Sequence, residues 1–235
     1  MIDRSVRHRP KGANSGTQIW QDLLFLHWRI SPEPLRPLVP QELEIDTFEG
    51  NAYVALVPFQ MREICPPWLP KRLGFHFLET NVRTYVHYKG KPGVYFFSLD
   101  ASSRLAVWAA RIGWSLPYYY AKMQTALQDD LRTYQCNRGG LRSHVEFRQP
   151  SQLRKAEPET LEHFLLERYL LFVRRSGQIY LGEVHHSPYA FSECDLIHLD
   201  DALIAASGLA LPRAKPDLAH FSPGVNVEVF KIAPA

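Results

Sequence analysis

The chain has 235 residues, 46% of them hydrophobic and 12% aromatic, with a formal charge of +3. That is enough apolar material for one large domain with its own core, and it argues against a disordered chain. The basic residues are scattered rather than striped and no apolar run approaches the roughly 18 residues of a membrane span, so neither nucleic acid nor membrane is expected as a partner.

Residues 1–16, MIDRSVRHRPKGANSG, are basic and lack the apolar stretch of a secretory signal; they are expected to form a disordered tail ahead of a single domain over 17–235. Cys65, Cys136 and Cys194 are odd in number and show no CxxC spacing, which suits a reducing cytoplasm. Ile19–Ile30 is apolar enough for a buried strand. Pro32, Pro34, Pro37 and Pro40 then break the chain around a short Leu-rich turn of helix, and Ala52–Met61 reads as a second strand. FHFLETNVRTYVHY (Phe75–Tyr88), the turn signal KGKPG and VYFFSLD (Val94–Asp100) predict a β-hairpin. Ser102 or Ser103 is placed to cap a helix through about Gly113, with Leu105, Trp108, Ala109 and Ile112 on one face. A second helix is expected from Pro158 through ETLEHFLLERY, and VNVEVF alternates like a last strand. The class is therefore α+β and strand-dominated, with a curved or closed antiparallel sheet and two or three helices.

Within the hairpin, Phe75, Phe77, Glu79, Asn81, Arg83, Tyr85 and His87 share one face. An aromatic row carrying a carboxylate, an amide and a guanidinium either meets water on an open sheet or lines the cavity of a closed one; its aromatics favour the cavity.

WQDLLFLHWRISPEPLRPLVPQELEIDTFEGNAYVALVPF, FLETNVRTYVHYKGKPGVYFFSLDA, ARIGWSLPYYYAKM and LERYLLF together resemble the YqjF-like family, domain of unknown function 2071. More distantly the chain is similar to acetoacetate decarboxylase, which implies a cone-shaped antiparallel β-barrel with an enclosed site. LRPLVPQELEID (Leu35–Asp46) resembles a segment of that enzyme, and its active-site glutamate matches Glu79. Its catalytic lysine pair falls on Tyr118 and Tyr119, and its N-terminal arginine falls less securely on Gln21. Schiff-base chemistry needs an amine, which tyrosine lacks, so the resemblance does not carry that activity to these positions.

Tyr118 and Tyr119 would serve as hydrogen-bond donors or as an acid, because a phenol of pKa about 10 is protonated at neutral pH; packed aromatics are the plainer reading. Tyr120 is expected to point away from them into the core. Arg111, on an otherwise apolar helix, needs a carboxylate from Glu79, Asp100 or Glu63, or else holds that of a substrate; Arg83 has the same alternatives. Lys122 reads as a solvated lysine on a helix and His27 as a hydrogen-bonded core residue. His185, His186, Cys194, Asp195 and His198 match no zinc template, and GxSxG, GxxxxGK and GxGxxG are absent, so neither metal nor cofactor is expected.

The leading expectation is a polar pocket for a small organic acid or carbonyl compound, with Glu79, Tyr118 and Tyr119 as catalytic candidates and Asn81, Arg83, Arg111 and Gln21 as binding candidates. If it is catalytic, a lysine-independent lyase or isomerase fits. A non-enzymatic carrier and a structural domain with a filled barrel stand beside it, and a homo-oligomer is left open. A cavity of about 300 Å³ or more beside Glu79 and Tyr118 would set the ligand readings apart from the filled barrel.

Overall fold

The computed structural model describes residues 8–70, 73–211 and 213–235. The first long strand, β1 (Gly16–Ile30), carries the strand-favouring residues Thr17, Ile19, Trp20, Phe25, Trp28 and Ile30. The prolines that follow allow a single 3-10 turn over Glu33–Leu35, and β2 (Glu44–Ile45) leads into β3 (Ala52–Cys65). β4 (Phe75–Tyr88) and β5 (Lys91–Ala101) form the predicted hairpin. Its turn is only Lys89-Gly90, both at positive φ, so Pro92 and Gly93 belong to the strand rather than to the turn.

Ser103 caps α1 (Arg104–Trp114) by accepting from the Ala106 amide. The expected apolar stripe faces outward, with Leu105, Trp108 and Ile112 each about 60% exposed. Val107, Ala110 and Trp114, at the same i, i+3, i+7 spacing, make the inward contact instead. After β6 (Tyr118–Tyr120) comes a meander of β7 (Lys122–Gln128), β8 (Leu131–Arg138) and β9 (Leu141–Arg148), which turns at Asp129-Asp130 and Gly139-Gly140. β10 (Arg154–Lys155) precedes α2 (Leu161–Leu166), which Thr160 caps. The second helix is therefore shorter than its sequence suggested, because Glu167 leaves helical geometry and the chain turns into β11 (Leu170–Arg175). β12 (Gln178–His186), β13 (Ala190–Glu193), β14 (Asp195–Asp201), α3 (Leu203–Ala206), β15 (Leu218–Val229) and β16 (Ala233–Pro234) complete the chain.

Hydrogen bonding runs β15-β1-β3-β4-β5-β11-β12 and returns to β15 through the pairs Val184 with Val229, His185 with Glu228 and His186 with Val227. The sheet is thus a closed ring of seven strands among the described residues, antiparallel except where β5 meets β11. The sense of curvature follows from contacts that bridge an intervening strand. His27 on β1 reaches Tyr85 on β4 across β3, and the Arg83 guanidinium of β4 lies over the Phe25 ring of β1. Residues on that face, including Phe25, Val57, Glu79, Arg83, Val225 and Val227, therefore point into the ring. The β14-β9-β8-β7 sheet covers the outside: the Tyr134 hydroxyl donates to the Asp22 carbonyl at 2.7 Å, Arg132 meets the Asp22 carboxylate at 3.0 Å and Phe147 packs on Phe221.

The described part of the expected tail is attached to the barrel. Arg9 and Asn14 both bind the Glu228 carboxylate, and the Ser15 amide donates to the Val229 carbonyl. Met1–Arg7 lie outside the described residues.

The shortest pairing in the ring is the β5–β11 seam, where only Leu171 with Val94 and Phe172 with Tyr95 are in register. Gly93 allows that approach: a Cβ there would lie 2.7 Å from the Leu170 carbonyl oxygen and from the Phe172 ring. Gly93→Ala is expected to destabilise the fold by about 1–3 kcal/mol in denaturant titration. Gly113→Ala, in open space on α1, should be neutral or stabilising by up to about 1 kcal/mol. Equal stability of Gly93→Ala and wild type would contradict this view of the seam.

Candidate active site

Alternation along β4 sends Glu79, Asn81, Arg83 and Tyr85 inward in succession. Tyr118 joins them because β6 lies parallel to β5: Tyr118 pairs with Leu99, which itself pairs with Asn81, so all three share a face. The Tyr118 hydroxyl donates to Glu79 Oε2 at 2.6 Å, and Asn81 Nδ2 approaches Oε1 at 3.5 Å.

Glu79 is 3% exposed, and burial pushes its pKa up to about 7, against the opposing pull of the Tyr118 and Asn81 hydrogen bonds. Burial and the adjacent carboxylate push the Tyr118 phenol well above its ordinary range. The pair therefore takes or releases one proton near neutrality. With Glu79 ionised, Tyr118 donates to it. With Glu79 protonated, the carboxyl can donate to the phenol oxygen and leave the Tyr118 O–H free for another acceptor.

Arg83 lies about 7 Å further along the strand than Asn81. Its guanidinium rests over the Phe25 and Tyr85 rings, 5.6 and 5.8 Å from their centroids, and its buried Nε has no hydrogen-bond partner. It forms no ion pair among the described residues, unlike Arg168, which meets Asp46 at 2.6 Å. The Arg83 charge acts on Glu79, His27, His186 and Tyr189, so these groups share one electrostatic compartment.

The two histidines present lone pairs to it. Tyr85 gives its one proton to the Leu165 carbonyl at 3.0 Å, so His27 Nε2, at 2.7 Å, is the donor to Tyr85 and Nδ1 is an unprotonated, unpartnered acceptor. His186 Nδ1 donates to the Ser187 carbonyl, which leaves Nε2 as another buried acceptor without a partner. Burial drives the His27 pKa well below its ordinary value and that of His186 down to about 4, so both rings are neutral at physiological pH. His27 is thus hydrogen-bonded in the core, as expected. The inward place of His186 escaped the sequence reading, which weighed the His-His pair only as metal ligands; the alternation of β12 carries the signal, since Val184 and His186 share a face.

The remaining candidates go elsewhere. Tyr119 points outward and is stacked on by Arg111 and Arg138, at 5.3 and 4.5 Å. Tyr120 is 39% exposed rather than core, because β6 ends at the barrel edge. Arg111 donates from Nε to the Tyr118 carbonyl at 2.6 Å instead of pairing with a carboxylate, and Asp100 meets Arg138 at 3.4 Å. Gln21 faces Arg62 at 3.4 Å. Lys122 lies exposed on strand β7, not on a helix. His185 approaches Glu228 and His198 packs at a tilt against His144, so the expected non-template set is dispersed. A cavity of about 310 Å³ opens at the β5–β11 seam, lined by Phe96, Leu116, Pro117, Phe172 and Val173 among others. Its lining excludes Glu79 and Tyr118, so it does not meet the expectation of a cavity beside them, and a ligand reading has to rest on the unpartnered polar atoms of the ring interior instead.

Residues 17–226 match the DUF2071 family, described as an uncharacterized conserved protein. The chain belongs to that family. This DUF2071 protein is 38% identical over 217 residues to the uncharacterized protein YqjF of Bacillus subtilis, covering 91% of this chain and 89% of that one. Its fold is similar to that of the enduracididine biosynthesis enzyme MppR complexed with pyruvate, with a TM-score of 0.68 at 12% identity over 97% of this chain and 93% of that one. It is also similar to acetoacetate decarboxylase from Legionella pneumophila, with a TM-score of 0.64 at 15% identity over 96% and 92%. The DUF2071 chain therefore has an acetoacetate-decarboxylase-like fold.

The raised Glu79 pKa has a stability consequence whose sign is fixed. Between about 4.5 and about 7 the unfolded chain releases a proton that the native carboxyl keeps, so this group's contribution to stability falls as pH rises through that window. The loss amounts to about 3 kcal/mol. Denaturant titrations across that range should show wild type losing that much relative to Glu79→Gln; parallel curves would contradict the assignment.

Proposed function

We propose that this DUF2071 protein binds a small organic acid or carbonyl compound inside the strand ring and acts on it by proton transfer. Arg83 carries the reading: it is an inward guanidinium with no carboxylate partner among the described residues, facing the same interior as a carboxyl group poised near neutrality. In this scheme Arg83 holds the ligand's carboxylate by charge-assisted hydrogen bonds, and the unpartnered Asn81 Oδ1 accepts from a hydroxyl or enol O–H of the ligand. Glu79 takes or returns the proton, and Tyr118, released from the protonated carboxyl, donates to oxyanion charge as it develops. The pyruvate in the MppR structure supports the ligand class, and lyase or isomerase chemistry fits these groups.

Schiff-base formation is not part of the scheme. Every lysine among the described residues is exposed, including Lys122, so none offers an amine to the ring interior.

Thermal-shift and calorimetric titration with pyruvate and other short 2-oxo acids tests the proposal. Wild type should be stabilised, and Arg83→Gln should weaken binding at least tenfold, the scale of losing a hydrogen bond to a charged group. Glu79→Gln should keep binding and lose turnover. Borohydride with the same acids should leave the protein mass unchanged. Ligand binding indifferent to Arg83→Gln, or a reduced adduct on a lysine, would overturn it; ligand recovered chemically intact would leave a carrier in place of an enzyme.

A further inference from the structure

At the end of the ring closed by α2, three ligand-type side chains converge from separate elements. Glu162 comes from the first turn of α2, Glu193 ends β13, and His220 of β15 is the direct cross-strand partner of Glu193. One donor atom from each lies within 4.8 Å of the other two. His220 is 0% exposed, packed edge-on against Phe191 and 6.2 Å from the His27 ring, yet neither of its nitrogens has a hydrogen-bond partner among the described residues. An unsatisfied buried polar group costs about 1–3 kcal/mol, and a neutral imidazole always retains one lone pair suited to a Lewis acid.

We propose that Glu162, Glu193 and His220 form a binding site for a divalent transition-metal ion. One imidazole and two carboxylates suit Zn²⁺, Mn²⁺, Fe²⁺ or Co²⁺, and three protein ligands leave coordination positions open. Bonds of about 2.1 Å require donors about 3 to 3.5 Å apart, so a pair at the 4.8 Å limit must draw in by about 1.3 to 1.8 Å. Glu193, with a side chain 76% exposed, has the freedom to do so. Burial lowers the His220 pKa more than the facing carboxylates raise it, which keeps the ring in its ligating, neutral form.

Arg154 is the internal competitor. Its Nη2 lies 3.1 Å from Glu162 Oε1 and 3.8 Å from Glu193 Oε1, so its single charge offsets only one of the two carboxylates. Its side chain is 52% exposed and can swing into solvent, and it offers nothing to the His220 lone pair.

The test uses tag-free protein, apo-treated and then dialysed against Co²⁺ or Zn²⁺, with metal content by elemental analysis and Co²⁺ ligation by visible absorption. One ion per chain is expected. Glu193→Gln and Glu162→Gln should each weaken binding at least tenfold, with folding checked by circular dichroism. Arg154→Ala, which removes the competing cation, should bind more tightly. No metal retained by wild type, retention unaffected by both glutamate substitutions, or weaker binding by Arg154→Ala would overturn the site.

Discussion

Ring closure is the constraint on which the rest of this structure depends. Once β12 pairs with β15, one face of seven strands becomes an interior, and every polar side chain on it must find its partner there. Most of that face is filled by Phe25, Val57, Phe59, Val225 and Val227. Against that lining, Glu79, Asn81, Arg83, His27 and His186 are expensive to keep, and several retain an unpartnered atom. A fold selected only for stability would replace them with apolar residues. In the proposed scheme a ligand is the missing partner of these atoms.

The same enclosure sets the chemistry. Two arginines approach Tyr85, yet among the described residues only Arg168 has a carboxylate, Asp46, at hand. In the proposed scheme the cation on Arg83 and the proton-carrying Glu79–Tyr118 pair are complementary: one attracts an anion and the other exchanges a proton with it. Within that scheme, this combination puts a hydrogen-bonded acid in the place of an amine nucleophile. Arg111 has a supporting part, tying the Tyr118 carbonyl to α1 and so fixing where the phenol points.

Much of this was legible in the sequence because β4 alternates so cleanly. Period two placed Glu79, Asn81, Arg83 and Tyr85 on one face, whereas their register against β5 is set by a two-residue Lys89-Gly90 turn, shorter than the KGKPG signal read from the sequence. The same periodicity, applied to Tyr118–Tyr120, separates Tyr119 from Tyr118, whereas alignment to a lysine pair kept them together. Arg111 could not be placed from α1 alone, since its partner is a backbone carbonyl that carries no sequence signature. The stripe Leu105, Trp108 and Ile112 misled because two apolar lines run along α1, and tertiary packing chose the one through Val107 and Trp114. The His220 cluster was invisible for a related reason: β13–β15 pairing brings Glu193 and His220 together, and α2 adds Glu162, across distances that no spacing rule spans.

Carboxyl ¹³C NMR of Glu79, titrated with and without a small 2-oxo acid, tests the central claim most directly. The free protein should show a midpoint near 7, and an anion seated on Arg83 should move it higher by cancelling the guanidinium's pull. A midpoint at the ordinary glutamate value near 4.5, or one unmoved by saturating ligand, would contradict the account.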